Sequence, residues 1–150
     1  MSRARAEMIE DTRARLIASA RQAFATQGYA NTSMDDFTAR AGLTRGALYH
    51  HFGDKKGLLA AVVAQLDSEM DTHLQRITDE ATDPWAGLCE RCRAYLRMAQ
   101  DDEIQRIVLQ DAPAVLGDTG SQQQCVESLR QLLEALMQAG LIHQAPSVAL

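Results

Sequence analysis

Residues 44 to 55 carry side chains that suit contact with a nucleic acid. On a helical wheel of about 100° per residue, one arc of roughly 140° carries four of them and the opposite side carries Ala47, Leu48 and His51. The outward residues are Arg45, Gly46, Tyr49 and His50. Arginine can bond the O6 and N7 atoms of guanine, and tyrosine and histidine can bond phosphates. Gly46 lets the helix approach closely, so the arc is typical of a helix that enters a DNA groove.

Two helix starts add further candidates. Thr44 opens this helix beside free backbone amides that favour an anion. Lys55 and Lys56 stand at the start of the next helix, and Ser33 starts the preceding one. The structural alternatives stay open: Ser33 and Thr44 can act only as N-caps, and Arg45 as a solvated surface residue. Tyr49 can be partly buried, and His51, which faces inward, can be a packed and hydrogen-bonded histidine.

The elements that must position these groups are all predicted to be helices. Two short helices joined at Gly42 form a helix-turn-helix, with Phe37, Leu43, Leu48 and Phe52 as the contacts that fix their crossing. Asp54 then caps a long fourth helix. Its apolar stripe is Leu58, Leu59, Val62, Val63, Leu66 and Met70. Further helices are predicted from Pro84, over 103–111 and over 122–139, with a loop marked by Pro113, Gly117 and Gly120.

Composition bounds the function class. The chain has 150 residues and a net charge of −5, but residues 1–57 carry +3 and residues 58–150 carry −8. A basic head on an acidic body suggests that the head meets a polyanion. No run of apolar residues is long enough to span a membrane, and no secretory signal precedes residue 17. Three cysteines, an odd number, argue against a disulfide framework and predict a cytoplasmic location.

Residues 12–60 resemble the DNA-binding domain of the tetracycline-repressor (TetR) family of bacterial regulators. The resemblance is carried by Ala23-Phe24, Gly28-Tyr29, Thr32-Ser33-Met34, the run Ala41-Gly42-Leu43-Thr44-Arg45-Gly46-Ala47-Leu48-Tyr49-His50-His51-Phe52, Lys55 and Leu58-Leu59. It implies that Thr44, Tyr49, His50, His51 and Lys55 contact phosphates, and that Arg45 and Gly46 face bases. Phe37 and Thr38 depart from the family pattern, where a β-branched aliphatic residue and alanine are usual.

The resemblance also implies the architecture of the whole chain. We expect an all-α protein with an N-terminal helix-turn-helix domain at 1–54 and a helical regulatory domain at 55–150. The regulatory domain would bind a small apolar or aromatic effector, and the protein would be a repressor that then leaves a near-palindromic operator. Candidate effector contacts are Met70, His73, Trp85, Leu88, Cys92, Tyr95 and Gln110. Family members close with two further helices that form a dimer, so either the chain is C-terminally truncated, or it dimerises through another face, or the paired contact is lost. We expect truncation or loss of the C-terminus, with weakened dimerisation.

The sequence gives less support to functions of other classes. The sequence has no glycine-rich phosphate loop, no H-E-x-x-H and no G-x-S-x-G, so an enzyme is not expected, and neither is a cofactor or a catalytic residue. Cys89 and Cys92 form a C-x-x-C that could switch DNA binding by thiol oxidation or metal, although no second pair completes a metal site. A helical DNA-organising protein without a small-molecule response is the remaining alternative.

Overall fold

The computed structural model describes residues 3–118 and 120–143, and every regular element in that part of the chain is helical. The α-helices are α1 (Arg3–Gln27), α2 (Met34–Ala41), α3 (Arg45–Phe52), α4 (Lys55–Glu80), α5 (Pro84–Met98), α6 (Ala112–Leu116) and α7 (Ser121–Gln138). A 3₁₀ turn at Tyr29–Asn31 follows α1, and a π-helix at Ile104–Asp111 runs directly into α6. The predicted all-α class is confirmed.

The helices pack into two units. One unit takes in the chain up to Ser68 together with Ala99–Gly117, and the other takes in Glu69–Met98 and the chain from Asp118. The first unit gains the segment 99–117 because the π-helix packs on α1. The functional boundary at residue 54 stays a prediction, since packing and function need not divide a chain at the same residue.

The local structure of the helix-turn-helix follows the capping residues that the sequence supplies. Ser33 and Asp36 form a capping box at the start of α2, and the Thr44 hydroxyl accepts the amide of Ala47 at 3.2 Å at the start of α3. Gly42 ends α2 with φ 62°, in the left-handed region where a residue without a Cβ is least strained. These caps stop each helix after eight residues and leave α3 free to take its own direction.

An aromatic and aliphatic core holds the first unit together. Phe24 of α1 and Phe37 of α2 meet edge to face with ring centroids 5.2 Å apart, and both are fully buried, as is Leu48 of α3. The predicted stripe of α4, from Leu58 to Met70, is buried along its whole length. Helices α1, α2, α3 and the first half of α4 therefore share one core, and α3 is held on it by its inward face.

The π-helix differs from the sequence-based expectation at its C-terminal end. Pro113 was expected to mark a loop, but it lies in the first turn of α6. The amide of Ala112 reaches back to the carbonyl of Ile107, five residues earlier, which is the wider π spacing. Proline has no amide hydrogen to donate and its ring crowds the preceding turn, so a widened turn ahead of it lets the helix continue to Leu116. The loop begins at Gly117.

The second unit is built from the C-terminal half of α4, α5 and α7. Gly87 is buried, and a Cβ there would lie 3.0 Å from the Cβ of Ala81, so α5 begins in close contact with the chain segment before it. Arg91 is buried in this unit, and its guanidinium lies 3.7 Å from the carboxylate of Asp71. Among the described residues, no helix is long and apolar enough to cross a membrane.

The Phe24–Phe37 contact predicts the cost of removing Phe37. We expect Phe37→Ala to lower the free energy of unfolding by about 3–5 kcal/mol, because it leaves a cavity under α2 and removes an edge-to-face pair. Urea unfolding followed by circular dichroism measures this loss. Met8→Ala serves as the control, since that side chain is 64% exposed. A loss below about 1 kcal/mol for Phe37→Ala would contradict the assignment of Phe37 to the core.

Candidate nucleic-acid interface

Helix α3 presents one exposed face and one buried face. Arg45, Gly46, Tyr49 and His50 are exposed, Leu48 is completely buried, and Ala47 and His51 are half-buried. The exposed side chains are therefore the four that the helical wheel placed outward. The ring of His51 packs beside those of His50 and Phe52, with centroids 5.7 and 5.9 Å away. The exposed face offers a guanidinium, a bare backbone, a phenol and an imidazole side by side.

The guanidinium of Arg45 is held by groups from two helices. Its Nη2 donates to the Tyr49 hydroxyl at 3.5 Å, and the group lies 5.5 Å from the centre of the Tyr49 ring. Its Nε lies 3.6 Å from Oδ1 of Asp35, in the first turn of α2. The hydrogen bond to Tyr49 and the charge of Asp35 raise the pKa of Arg45 further, so the group is a permanent cation.

The capping hydroxyls of Ser33 and Thr44 differ in whether the hydroxyl hydrogen is free to bond an external group. The Ser33 hydroxyl donates to Oδ2 of Asp36 at 2.7 Å while accepting the Asp36 amide. The hydroxyl bond, followed by the bond that the Ser33 amide donates to the same oxygen at 3.0 Å, holds the pKa of Asp36 below its ordinary value. The Thr44 hydroxyl accepts the amide of Ala47, and this bond does not use its own hydrogen. Thr44 is exposed as well, so its hydroxyl is the better placed of the two to donate to an external anion.

Lys55 stands on an aromatic support at the start of α4. Its ammonium lies 4.2 Å from the centre of the Tyr29 ring, a cation–π contact. Burial lowers the pKa of Lys55, while the carboxylates of Asp111 and Asp36 act in the opposite direction. Burial, followed by the charge of Asp54, raises the pKa of Tyr29, so its hydroxyl stays neutral at physiological pH. The contact orders this lysine side chain at the N-terminus of α4.

Tyr29 in turn is fixed by the segment 103–111, which we name the α1 clamp. Oδ2 of Asp111 accepts the Tyr29 amide at 2.9 Å, and Glu103 forms two hydrogen bonds with Arg21, at 2.6 and 2.9 Å. Arg106 donates to the last carbonyls of α1, those of Ala25 and Thr26, at 3.5 and 3.4 Å. The clamp thus provides partners for backbone carbonyls at the end of α1, and through Asp111 it also holds Tyr29, the ring on which Lys55 lies.

Gly28 makes room for the clamp. Its φ of 80° is one that side-chain-bearing residues rarely adopt, and a Cβ there would lie 3.2 Å from Nε of Arg106. A larger residue would strain the turn and push the guanidinium away from the carbonyls that it contacts.

The candidate effector residues are divided between the units. Met70 is buried, His73 and Leu88 are half-buried, and Trp85, Cys92 and Tyr95 are exposed, Trp85 by 52%. Gln110 is exposed and belongs to the first unit, whereas the other six belong to the second. A groove of about 580 Å³ lies in the second unit, and of the seven candidates it is lined by His73 alone. Its other lining residues are Ile77, Glu80, Ala81, Thr82, Ala86, Glu90, Ala94, Arg97 and Met98.

The three cysteines form no disulfide with one another and differ in exposure. Cys92 is exposed, and Cys89 and Cys125 are half-buried. The two arginines that could stabilise a thiolate are already paired: Arg91 with Asp71 and Arg93 with Glu90. Within residues 3–118 and 120–143, no three histidine, cysteine or acidic side chains gather as a metal site.

Sequence reasoning missed the groups that support the interface. Asp35, Tyr29 and Asp111 contact candidate DNA-binding residues or hold them in place. Tyr29 and Asp111 are 82 residues apart, so no local pattern could have paired them. Asp35 offered a signal, because Asp36 alone is needed for the capping box and a second exposed acid beside a basic surface calls for another explanation.

Comparison with known proteins agrees with this geometry. The family model described as bacterial regulatory proteins, tetR family, matches residues 16–62. A second model, described as the tetracyclin repressor-like C-terminal domain, matches residues 85–150.

Individual relatives lead to the same family. The transposon Tn10 TetC protein of Escherichia coli is 33% identical over 111 residues, which cover 74% of this chain and 56% of TetC. A crystal structure of a TetR-family transcriptional regulator from Pectobacterium atrosepticum is 59% identical with a TM-score of 0.84, covering 97% of this chain and 75% of that one. A γ-butyrolactone receptor, an ArpA-like protein, is 25% identical with a TM-score of 0.67, covering 94% of this chain and 72% of the receptor.

The matched family model describes bacterial regulatory proteins and the solved relative from P. atrosepticum is a transcriptional regulator, which confirms the prediction that the chain is not an enzyme. The chain spans 56% of the length of the E. coli protein. With 59% identity over three quarters of a solved regulator, and both family models matched, the chain belongs to the TetR family of bacterial transcriptional regulators.

Proposed function

We propose that this chain is a transcriptional repressor that binds duplex DNA with α3 and leaves it when a small molecule binds the helical body. The observation that carries the proposal is the exposed face of α3, where Arg45, Gly46, Tyr49 and His50 stand over a fully buried Leu48. A recognition helix must be fixed on its inner side and open on its outer side to enter the major groove. The capped, eight-residue α3 meets both requirements.

Arg45 and Gly46 are proposed to face the bases. Arg45 opens the helix, and in helix-turn-helix proteins it is the N-terminal residues of the second helix that contact base edges. Its guanidinium can donate two parallel hydrogen bonds to guanine. Gly46 is exposed, and a Cβ added to it would approach only Thr44, so its small size leaves space on the outer surface.

Six further residues are proposed to contact phosphates and fix the position of α3 on the duplex. Thr44 has a hydroxyl hydrogen to donate beside the free amides of α3, and Lys55 stands at the start of α4 on the Tyr29 ring. Tyr49 and His50 are exposed, whereas His51 is half-buried and reaches the surface only in part. Ser33 is the weakest candidate because its hydroxyl donates within the capping box. The charge of +3 on residues 1–57 favours the same polyanion.

A near-palindromic operator requires two recognition helices held at a fixed spacing. We therefore propose that the working form is a homodimer, with one α3 in each half-site. The support for a dimer is membership of the family. A DNA target also favours the cytoplasm as the location.

The α1 clamp supports an allosteric response. The chain leaves α5, in the second unit, and within six residues enters the π-helix that holds Tyr29 and the end of α1. A shift of the π-helix would move the Tyr29 support of Lys55 and the end of α1 together, because Glu103, Arg106 and Asp111 bond to that region. We propose that an effector acts on DNA binding through this segment as well as through α4.

The groove in the second unit supports a small, largely apolar effector. Apolar surface makes up most of its lining, from residues that include Ile77, Ala94 and Met98, and a few polar side chains could orient a ligand. These are His73, Glu80, Thr82, Glu90 and Arg97. The similarity to a γ-butyrolactone receptor is in line with a small-molecule response, without identifying the compound.

Single substitutions test the proposed contacts with DNA. In selections from random duplexes, we expect Lys55→Ala to weaken binding to every sequence by a similar factor. Arg45→Ala should instead reduce the preference at one base pair, by about 1–3 kcal/mol. Binding measured by fluorescence anisotropy should weaken steeply with salt, and two chains should bind each operator duplex.

Arg130→Ala is the matched control, because Arg130 is an exposed basic residue of the acidic body that pairs with Glu127. The proposal fails if the wild-type chain enriches no duplex even at low salt. If Arg45→Ala lowers the affinity for every sequence equally, Arg45 contacts a phosphate and not a base.

A ligand screen tests the proposed response to an effector. In a thermal-shift screen of small apolar and aromatic compounds, we expect at least one to raise the unfolding midpoint and, at similar concentrations, to release DNA. Arg106→Gln, which weakens the α1 clamp, should keep the midpoint shift but need more compound for release. A compound that stabilises the chain and leaves DNA affinity unchanged would favour the DNA-organising alternative. Release that follows thiol oxidation, and disappears in Cys89→Ser, would favour the redox alternative.

A further inference from the structure

We propose that Asp35 is a positioning residue that determines specificity, because it holds Arg45 in the orientation that presents its guanidinium to a base edge. The inference rests on the proposed DNA-binding function. Asp35 is the second residue of α2 and Arg45 is the first residue of α3, so their contact of 3.6 Å joins the two helices of the helix-turn-helix across the surface. This role would explain why Asp35, an acid, lies on a surface whose other groups favour a polyanion.

Asp35 is not needed for the local structure. The neighbouring Asp36 supplies the carboxylate of the capping box, with bonds to the backbone and hydroxyl of Ser33. The side chain of Asp35 is exposed, and an exposed ion pair contributes little to folding stability. An acid close to phosphates costs DNA affinity, so its presence calls for a function other than stability or attraction.

The geometry leaves the useful edge of Arg45 open. Nε is directed toward Asp35 and Nη2 contacts the Tyr49 hydroxyl at 3.5 Å. A guanidinium has five N–H donors, so Nη1 and the second hydrogen of Nη2 are left to bond O6 and N7 of guanine. Asp35 and Tyr49 thus hold the side chain from two directions and leave its outer edge to the base.

Removal of this restraint should affect specificity more than affinity. A long arginine without it samples many rotamers, loses more entropy on reaching one base, and can reach phosphates instead. Asp35 also repels phosphate from the same region, which disfavours binding without the correct base.

The experiment measures the affinity of the full chain for two duplexes at one fixed salt concentration. One is a duplex enriched by the wild-type chain from random sequence, and the other carries a substitution at the base pair whose preference Arg45→Ala relaxes. We expect Asp35→Asn to lower the ratio of the two affinities about tenfold, with unchanged or tighter binding to the substituted duplex. Asp35→Glu, which keeps the charge, should restore part of the ratio.

Two controls separate positioning from charge alone. In the Arg45→Ala background, Asp35→Asn should not lower the ratio further, since the side chain that it positions is absent. Glu7→Gln removes a comparable exposed acid, paired with Arg3 at 3.2 Å within α1, and should leave the ratio unchanged. Because Asp35 is exposed, its variants should unfold at the wild-type temperature.

Two results would overturn the inference. If Asp35→Asn changes both affinities by the same factor, Asp35 acts only as a charge, and the proposed DNA-binding function stands. If the wild-type chain enriches no duplex, both the inference and the proposed function fail.

Discussion

The burial of Leu48 under α3 is the constraint on which the interface depends. A helix of eight residues is marginal on its own in water, because nucleation is unfavourable and few hydrogen bonds follow it. Leu48 is removed entirely from solvent, on the core that Phe24 and Phe37 build. At the N-terminus of α3, the Thr44 hydroxyl accepts a hydrogen bond from a backbone amide that has no partner within the helix. Because one inward residue anchors α3, the opposite face can consist of polar and small residues without loss of the helix.

Polar groups at the interface are held in place by neighbours instead of by burial. Arg45 lies between Tyr49 and Asp35, and Lys55 lies over Tyr29. Each contact is weak by itself, since the cations stay at least partly exposed. Together they limit the directions in which two long side chains can point. Such preorganisation reduces the entropy lost on binding, which would favour the proposed discrimination among similar duplexes.

The α1 clamp shows how a segment far along the chain becomes part of the N-terminal unit. Glu103, Arg106 and Asp111 supply bonds to Arg21, to the last carbonyls of α1 and to the Tyr29 amide. These groups would otherwise need water, since a helix end leaves several carbonyls without partners. The π-helix that carries the clamp has a wide turn ahead of Pro113, and such turns are frequent at functional sites.

The sequence by itself determined the two short helices of the helix-turn-helix and their ends. Ser33, Gly42 and Thr44 act within a few residues of themselves, so their capping and turn roles follow from local chemistry. Helical periodicity identified the buried stripe of α4 and the outward face of α3 for the same reason. The TetR resemblance of residues 12–60, carried by a run of local motifs, also came from the sequence alone.

Only the tertiary structure decided which distant groups meet. The bonds of Asp111 to Tyr29 and of Glu103 to Arg21 join residues 82 apart, and the pairing of Asp35 with Arg45 depends on the crossing of two helices. The groove in the second unit likewise has a lining that includes His73 alone of the seven predicted effector contacts, because helix packing, not periodicity, selects the residues that share a cavity. Periodicity identifies the face of a helix, whereas the partner of that face depends on how the whole chain packs.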